Sequence, residues 1–158
     1  MSAQIYLAYL LTILPVFELR AGLPLVIEYA LKNNQQIWPY VLIVIILNIL
    51  AIFLAFMFLD FLHNILMNFK FYKKLINKVL IKAQKKAAKL EKKMDKWGYV
   101  ALMLLVAVPL PGTGAYTGAL VSWILGLNRK NSLIAIAAGV IIAGLLVLLI
   151  TLGFARVF

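Results

Sequence analysis

Apolar residues dominate four stretches of this chain, and one long basic segment separates the first two stretches from the last two. The stretches at 38–62 and 132–155 contain no proline except Pro39, near the start of the first. A helix needs about 20 apolar residues to cross the hydrocarbon core of a bilayer. Both stretches are therefore predicted to be transmembrane helices.

The other two stretches, 4–31 and 98–126, are interrupted near their centres by proline and glycine. Proline removes a helical hydrogen bond, and glycine permits a sharp reversal of the chain. In lipid, the freed backbone groups are tolerated only where protein or water satisfies them. Each stretch is therefore predicted to be a re-entrant helical hairpin with its tip at mid-depth, and a kinked full span is the alternative.

The distribution of charge favours the hairpins. Segment 63–97 carries eleven lysines and a net charge of +9, whereas the rest of the chain carries +2. If only 38–62 and 132–155 cross the membrane, the basic segment lies on the same face as Arg129 and Lys130. This arrangement agrees with the rule that cytoplasmic loops carry an excess of Lys and Arg. We therefore expect a multi-pass protein of the cell membrane, with the basic segment inside and both termini outside.

The two interrupted stretches also resemble each other. Pro15 and Gly22 are spaced as Pro111 and Gly118 are, and a predicted span follows each pair. Hairpin plus span, occurring twice from opposite sides, is the inverted-repeat arrangement of secondary transporters. The predicted fold is thus all-α integral membrane, one domain over 1–158, with two such repeats joined by a long basic amphipathic helix.

The predicted site lies where the two hairpin tips meet. Each returning half-helix would direct free N–H groups and a positive dipole end to the membrane centre, which suits an anion. Glycines allow a ligand to approach the backbone, and Thr113 and Tyr116 supply hydroxyls. The predicted substrate-binding residues are Arg20, Gly22, Pro111, Gly112, Thr113, Gly114, Tyr116 and Gly118.

Two carboxylates are the candidates for proton coupling. Glu18 stands two residues from Arg20, and a buried arginine is normally paired or functional. The pair is either a structural ion pair or an anion clamp beside a protonatable carboxylate. Asp60 ends the first span, where it is either a gate or a snorkelling, Lys-paired residue. Asn48, inside that span, is a candidate partner for a hairpin tip.

The basic segment 63–97 has apolar residues at steps of three and four, which predicts one amphipathic helix. It either lies on anionic lipid headgroups, forms a coiled coil in a dimer, or covers the cytoplasmic mouth of the site. Nucleic acid is disfavoured because the segment is tethered at a membrane face. We also expect a homodimer, since two half-membrane loops enclose little on their own.

The amino-acid composition excludes several other classes of protein and activity. The chain is 65% hydrophobic and 13% charged, with a mean hydropathy of +1.02, which excludes an ordinary soluble domain. It has no cysteine, one histidine and no Walker A pattern, so thiolate catalysis and ATP-driven pumping are excluded. We expect no enzymatic activity, no cofactor and no metal site.

Two motifs carry a resemblance to a known family. The sequences FELRAGLP at 17–24 and PLPGTGAYTGA at 109–119 resemble the small multidrug export proteins, which look like compact relatives of the DedA membrane proteins. The resemblance implies an inverted-repeat transporter. The positions at which this chain matches the family's motifs, and to which a functional role carries over, are Glu18, Arg20, Pro111, Gly112 and Gly118. DedA second hairpins typically carry an arginine directly after Pro-Gly, where this chain has Thr113.

DedA proteins are implicated in proton-coupled recycling of phosphorylated polyprenol carriers. We therefore expect a secondary transporter of an anionic amphiphile such as a polyprenyl phosphate, coupled to protons through Glu18. The alternatives are proton-coupled export of lipophilic cationic drugs and a non-transporting membrane scaffold.

Overall fold

The computed structural model describes residues 3–69, 97–110 and 113–157, and this part of the chain forms six helices. The helices are α1 (Ala3–Ile13), α2 (Glu18–Lys32), α3 (Trp38–Leu66), α4 (Trp97–Ala107), α5 (Ala115–Ile124) and α6 (Arg129–Val157). The all-helical part of the predicted fold is confirmed. Most of the predicted amphipathic basic helix, residues 70–96, lies outside the described residues.

Helices α3 and α6 are the two long, apolar helices of the protein. Their most apolar 18-residue windows have a mean hydropathy of 3.1, yet only 39% and 44% of those windows is buried. A core helix of a soluble protein would be mostly covered, whereas these helices expose large apolar side chains. The two helices run antiparallel, since Gly144 lies beside Ile45 while Arg129 pairs with Asp60. Their length and exposure support a membrane location.

Helices α1 and α2 form the first antiparallel pair. The chain reverses at residues 14–17, where Pro15 stands, but Pro24 lies within α2 without ending it. A Cβ on Gly22 would lie 1.9 Å from Thr12 Oγ1, so glycine lets the two helices approach closely. Of the three breakers in this stretch, only Pro15 therefore marks the reversal.

Helices α4 and α5 form the second pair. The chain turns between Ala107 and Ala115, and residues 111–112 of this turn lie outside the described part. A Cβ on Gly118 would lie 2.7 Å from Val106 Cγ2. Gly22 and Gly118, the second members of the repeated Pro-x6-Gly frame, thus both lie where the second helix of a pair contacts the first.

The two pairs extend from opposite ends of α3. Near its start, the ring of Tyr40 stacks edge-on against that of Tyr29 of α2, with centroids 6.0 Å apart. Near its end, Trp123 of α5 donates a hydrogen bond to Asp60. The tips of the two pairs therefore point toward each other along the side of α3; the first tip is the turn at 14–17, and the described part of the second comprises 108–110 and 113–114.

The tips meet beside the middle of α3. Pro15 of the first tip and Tyr116, near the start of α5, both line a groove against Leu54. At 1.5 Å per residue, Leu54 is about 24 Å from the start of α3 and about 18 Å from its end. The order of helix pair followed by long helix occurs twice. Re-entry into a membrane and the inverted repeat stay predictions, because both depend on where the bilayer lies.

Candidate functional site

Glu18 joins the two tips. It is the first residue of α2 and is only 4% exposed. Its Oε2 accepts a hydrogen bond from the N–H of Ala115, and its Oε1 accepts one from the N–H of Tyr116, each at 3.2 Å. These N–H groups belong to the first turn of α5, whose own N-cap residue, Gly114, has no side chain to accept a hydrogen bond from them. A carboxylate from the other helix pair therefore caps α5, where the helix dipole favours negative charge.

Gly114 makes room for this carboxylate. A Cβ at that position would lie 2.1 Å from Glu18 Oε2 and 2.6 Å from its Cδ. The φ of Gly114 is 177°, an extended value open to any residue, so the need for glycine here is purely steric. This gives a definite role to one of the glycines that the sequence assigned to the site.

Glu18 itself has an unusual backbone. Its φ is +51°, in the left-handed region that costs a non-glycine residue roughly 1 kcal/mol or more. The turn between α1 and α2 imposes this conformation, and the same turn directs the carboxylate at α5. Strained backbone of this kind is concentrated at functional sites.

Arg20 binds the second tip at a different point. Its Nη2 donates to the carbonyl oxygen of Val108 at 3.3 Å and to Thr113 Oγ1 at 3.1 Å. The Thr113 hydroxyl in turn lies 2.8 Å from the Val108 oxygen and 2.9 Å from the Leu110 oxygen. Arg20 is half-buried.

In a third contact, the second helix pair supplies the side chain and the first supplies the backbone. The hydroxyl of Tyr116 donates to the carbonyl oxygen of Ile13, the last residue of α1. We call the cluster of Glu18, Arg20, Thr113, Gly114 and Tyr116 the tip junction.

The tip junction differs from the sequence prediction in its pairing. Of the two arrangements that the sequence left open, Glu18 and Arg20 do not form the structural ion pair, because the carboxylate is bound to backbone N–H groups and the guanidinium to Val108 and Thr113. In the described part of the chain, the ion pairs are Glu28 with Lys32 and Asp60 with Arg129. The positive end of α5 is thus already occupied by a carboxylate of the chain itself.

The other predicted binding residues lie elsewhere. Gly22 and Gly118 are packed inside α2 and α5, so close helix packing accounts for both, and their part in binding stays a prediction. Pro111 and Gly112 lie outside the described residues.

Asp60 lies away from the tip junction, in a polar cluster at the end of α3. Both its carboxylate oxygens accept from Arg129 Nη2, and Oδ1 also accepts from Trp123 Nε1 at 3.1 Å. The guanidinium of Arg129 lies 5.7 Å from the ring centroid of Phe56. The partner of Asp60 is therefore an arginine of α6 rather than a lysine, and a role in proton coupling stays a prediction.

This cluster bears on topology. Arg129, at the start of α6, lies at the same end of the bundle as Asp60, which leads into the basic segment. That this end of the bundle and the basic segment share one membrane face stays a prediction from the charge distribution.

Two further polar residues extend the site. Asn48, fully buried in α3, donates from Nδ2 to the carbonyl oxygen of Thr12 at 3.2 Å, so its partner lies at the end of α1, just before the tip. Its Oδ1 has no hydrogen-bond partner among the described residues. Trp123 was missed by sequence reasoning, although it lies two helical turns after Tyr116 and thus on the same side of α5. In the described part of the chain, no three metal-ligating side chains converge.

Two short helix pairs meet in a polar junction beside two apolar helices of membrane-spanning length, an arrangement that supports a helical membrane protein. A family model described as "Putative small multi-drug export protein" matches residues 18–146, which include the whole tip junction. The chain belongs to this family. No curated protein and no solved structure matches it. A relationship to the DedA proteins is not shown and stays a prediction.

Proposed function

We propose that this protein is a proton-coupled secondary transporter of an amphiphilic anion, such as a polyprenyl phosphate. The observation that carries the proposal is the carboxylate of Glu18 seated on the first turn of α5, with Arg20 bound to the same tip. Family membership supports membrane export in general. The anionic substrate and the proton are our inference from the chemistry of the tip junction.

The proposed membrane placement follows from helix lengths. Helix α2 has 15 residues and α5 has 10, which correspond to about 22 Å and 15 Å, too short for a hydrocarbon core of about 30 Å. Helices α3 and α6 have 29 residues each and are long enough. In this placement the pairs α1–α2 and α4–α5 re-enter from opposite faces as an inverted repeat, and the tip junction lies at mid-depth.

Proton coupling follows from competition for one positive site. When Glu18 is ionised, its carboxylate fills the start of α5. When Glu18 takes a proton, the two charge-assisted hydrogen bonds weaken, and an anionic headgroup can replace the carboxylate on the N–H groups of Ala115 and Tyr116. Arg20 and Thr113 lie beside this position. Because the site holds one negative charge in either case, proton and anion bind together, and we expect symport.

Asp60 is the second proposed proton-coupling residue. It joins α3 to α6 through Arg129 and to α5 through Trp123, so opening that end of the bundle would break both contacts. We place this end and the basic segment at the cytoplasmic face. The basic segment contacting anionic headgroups, and a homodimer that encloses the pathway, are proposals from the sequence alone.

The family description favours a second candidate, export of lipophilic cationic drugs. In that mechanism Glu18 would bind the cation and the proton alternately, and Arg20 would be dispensable. A non-transporting scaffold is the third possibility, in which residues 70–95 rather than Glu18 would carry the function.

The test is transport by the purified protein in liposomes, with a polyprenyl phosphate or a lipophilic cation as substrate and with or without a pH gradient. The variants are Glu18→Gln, which keeps the side-chain size but cannot ionise, and Arg20→Ala. Glu28→Gln is the matched control, because Glu28 lies on the same helix, exposed and paired with Lys32.

We expect wild type and Glu28→Gln to move the phosphate in response to the pH gradient, and both junction variants to lose this response. Movement of the cation alone, retained in Arg20→Ala, would establish drug export instead. Movement of neither substrate would refute both transport mechanisms.

A further inference from the structure

An apolar groove of about 470 Å³ opens beside the tip junction, between α3 and α5. This volume lies within the ~300–1,000 Å³ typical of small-molecule sites. The groove is lined by Pro15, Leu54, Ala55, Phe58, Leu59, Tyr116 and Leu120. The one side-chain hydroxyl in this lining, on Tyr116, is already bonded to the Ile13 carbonyl.

Tyr116 makes the groove continuous with the tip junction. Its backbone N–H donates to Glu18 Oε1, and the same residue lines the groove. From there the groove follows α3 from Leu54 to Leu59, about 8 Å at 1.5 Å per residue, toward the end that holds Asp60. Leu54 and Phe58 are 56% and 60% exposed, so the groove opens sideways, toward the space that lipid fills.

Size alone does not single out this groove. Cavities of about 490 and 500 Å³ lie where α4 meets α6 and where α4 meets α5. Neither has a lining residue in the tip junction, so a ligand there would have no contact with Glu18 or Arg20. The groove between α3 and α5 combines an apolar wall with one lining residue, Tyr116, whose backbone N–H binds the Glu18 carboxylate. An apolar wall next to a charged group is the pattern that an amphiphile requires.

We propose that this groove holds the part of a hydrocarbon chain next to the headgroup of the transported anion, which reaches it sideways from the bilayer. The proposal rests on the proposed function, because it takes the headgroup to lie at the tip junction. Lipid tails are as apolar as the groove, so its contribution is to position the chain rather than to add hydrophobic energy. Bulk lipid is the competing occupant, and its presence there would not depend on Arg20.

The test is photolabelling of the full-length protein in phosphatidylcholine nanodiscs. The probe is dodecyl phosphate with a diazirine on its chain, and the comparison lipid is phosphatidylcholine with the same diazirine. The variants are Arg20→Ala, which removes the headgroup contact, and Leu120→Trp, which fills the groove. Leu146→Trp on α6 is the matched control, because Leu146 is 40% exposed and Leu120 is 42% exposed. A second groove-filling variant, Leu54→Trp, covers the case in which Leu120→Trp fails to fold.

We expect the phosphate probe to label the segments around Leu54 and Leu120 in wild type and in Leu146→Trp. In Arg20→Ala and in the groove-filling variants, this labelling should fall to the level given by the phosphatidylcholine probe. Labelling spread evenly over the exposed faces of α3 and α6, or unchanged by filling the groove, would overturn the proposal.

The two proposals fail in different ways. If the phosphate probe labels the groove as expected but liposomes show no transport, the proposed role of the groove is supported and the proposed function is refuted. If transport occurs and Leu120→Trp changes neither labelling nor rate, the function stands and the groove falls.

Discussion

Replacing Gly114 by alanine tests the central contact of the site. The added Cβ would lie 2.1 Å from Glu18 Oε2, so the carboxylate must leave the first turn of α5 and lose both backbone hydrogen bonds. Hydrogen bonds to charged groups contribute about 1.5–3 kcal/mol each in soluble proteins, while polar contacts within membranes average about 0.6 kcal/mol. We therefore expect Gly114→Ala to lower the free energy of unfolding by about 1–3 kcal/mol.

The measurement is equilibrium unfolding in mixed micelles, followed by the fluorescence of the tryptophans, with Gly153→Ala as the control. Gly153 lies in α6 with no neighbouring atom within 4 Å of an added Cβ, so this substitution should leave stability unchanged or slightly raised.

A double-mutant cycle makes the reasoning falsifiable. In a Glu18→Ala background the obstructing carboxylate is absent, so Gly114→Ala should have little effect there. If Gly114→Ala is as destabilising in that background as in wild type, the steric argument is wrong. If it has no effect on wild type, the carboxylate does not cap α5.

Three other experiments have expected outcomes. Gly22→Ala places a Cβ 1.9 Å from Thr12 Oγ1 and 2.9 Å from the Ala8 oxygen; we expect overpacking to cost about 1–3 kcal/mol in the same unfolding assay, with partial rescue by Thr12→Ala and none by Thr151→Ala. Asp60→Asn removes a partly exposed ion pair with Arg129 and should lower the free energy of unfolding by at most about 1 kcal/mol. Loss of most transport activity despite this small change in stability would support a gating role for Asp60. A transport rate close to that of wild type would contradict it. Single cysteines at Lys32 and Lys130 of this cysteine-free chain should react with an impermeant reagent from opposite faces, and labelling of both from one face would reject the proposed membrane placement.

The broad architecture was predictable from the sequence because it depends on length, apolarity and proline. The long helices α3 and α6 follow from two uninterrupted apolar stretches, and the reversal at Pro15 follows from the missing N–H of proline. Pro24 was not distinguishable from Pro15 by this rule. It lies inside α2, where packing against α1 outweighs the local cost of proline.

The composition of the site was partly predictable, but its contacts were not. The sequence indicated that Glu18 and Arg20 belong to one tip and that Thr113, Gly114 and Tyr116 belong to the other. It also suggested that opposite charges two residues apart would pair. The strained φ of Glu18 directs its carboxylate away from Arg20 and toward α5. This orientation depends on a contact between residues 97 positions apart in the sequence. A local sequence pattern contains no information about such a contact.

The strength of the Glu18 contact fits the role proposed for it. A contact of about 1–3 kcal/mol would keep the junction closed for most of the time, and a ligand would need only a similar difference in affinity to open it. A carboxylate paired with Arg20 and buried would be harder to displace, because breaking a buried ion pair leaves an unpaired charge and costs about 3–5 kcal/mol. Glu18 instead accepts hydrogen bonds from the backbone N–H groups of α5, and the proposed mechanism takes the half-buried Arg20 to meet the anion that replaces Glu18. In the proposed mechanism the two charges of the first tip therefore act in sequence: the carboxylate holds the site closed, and the guanidinium then receives the substrate.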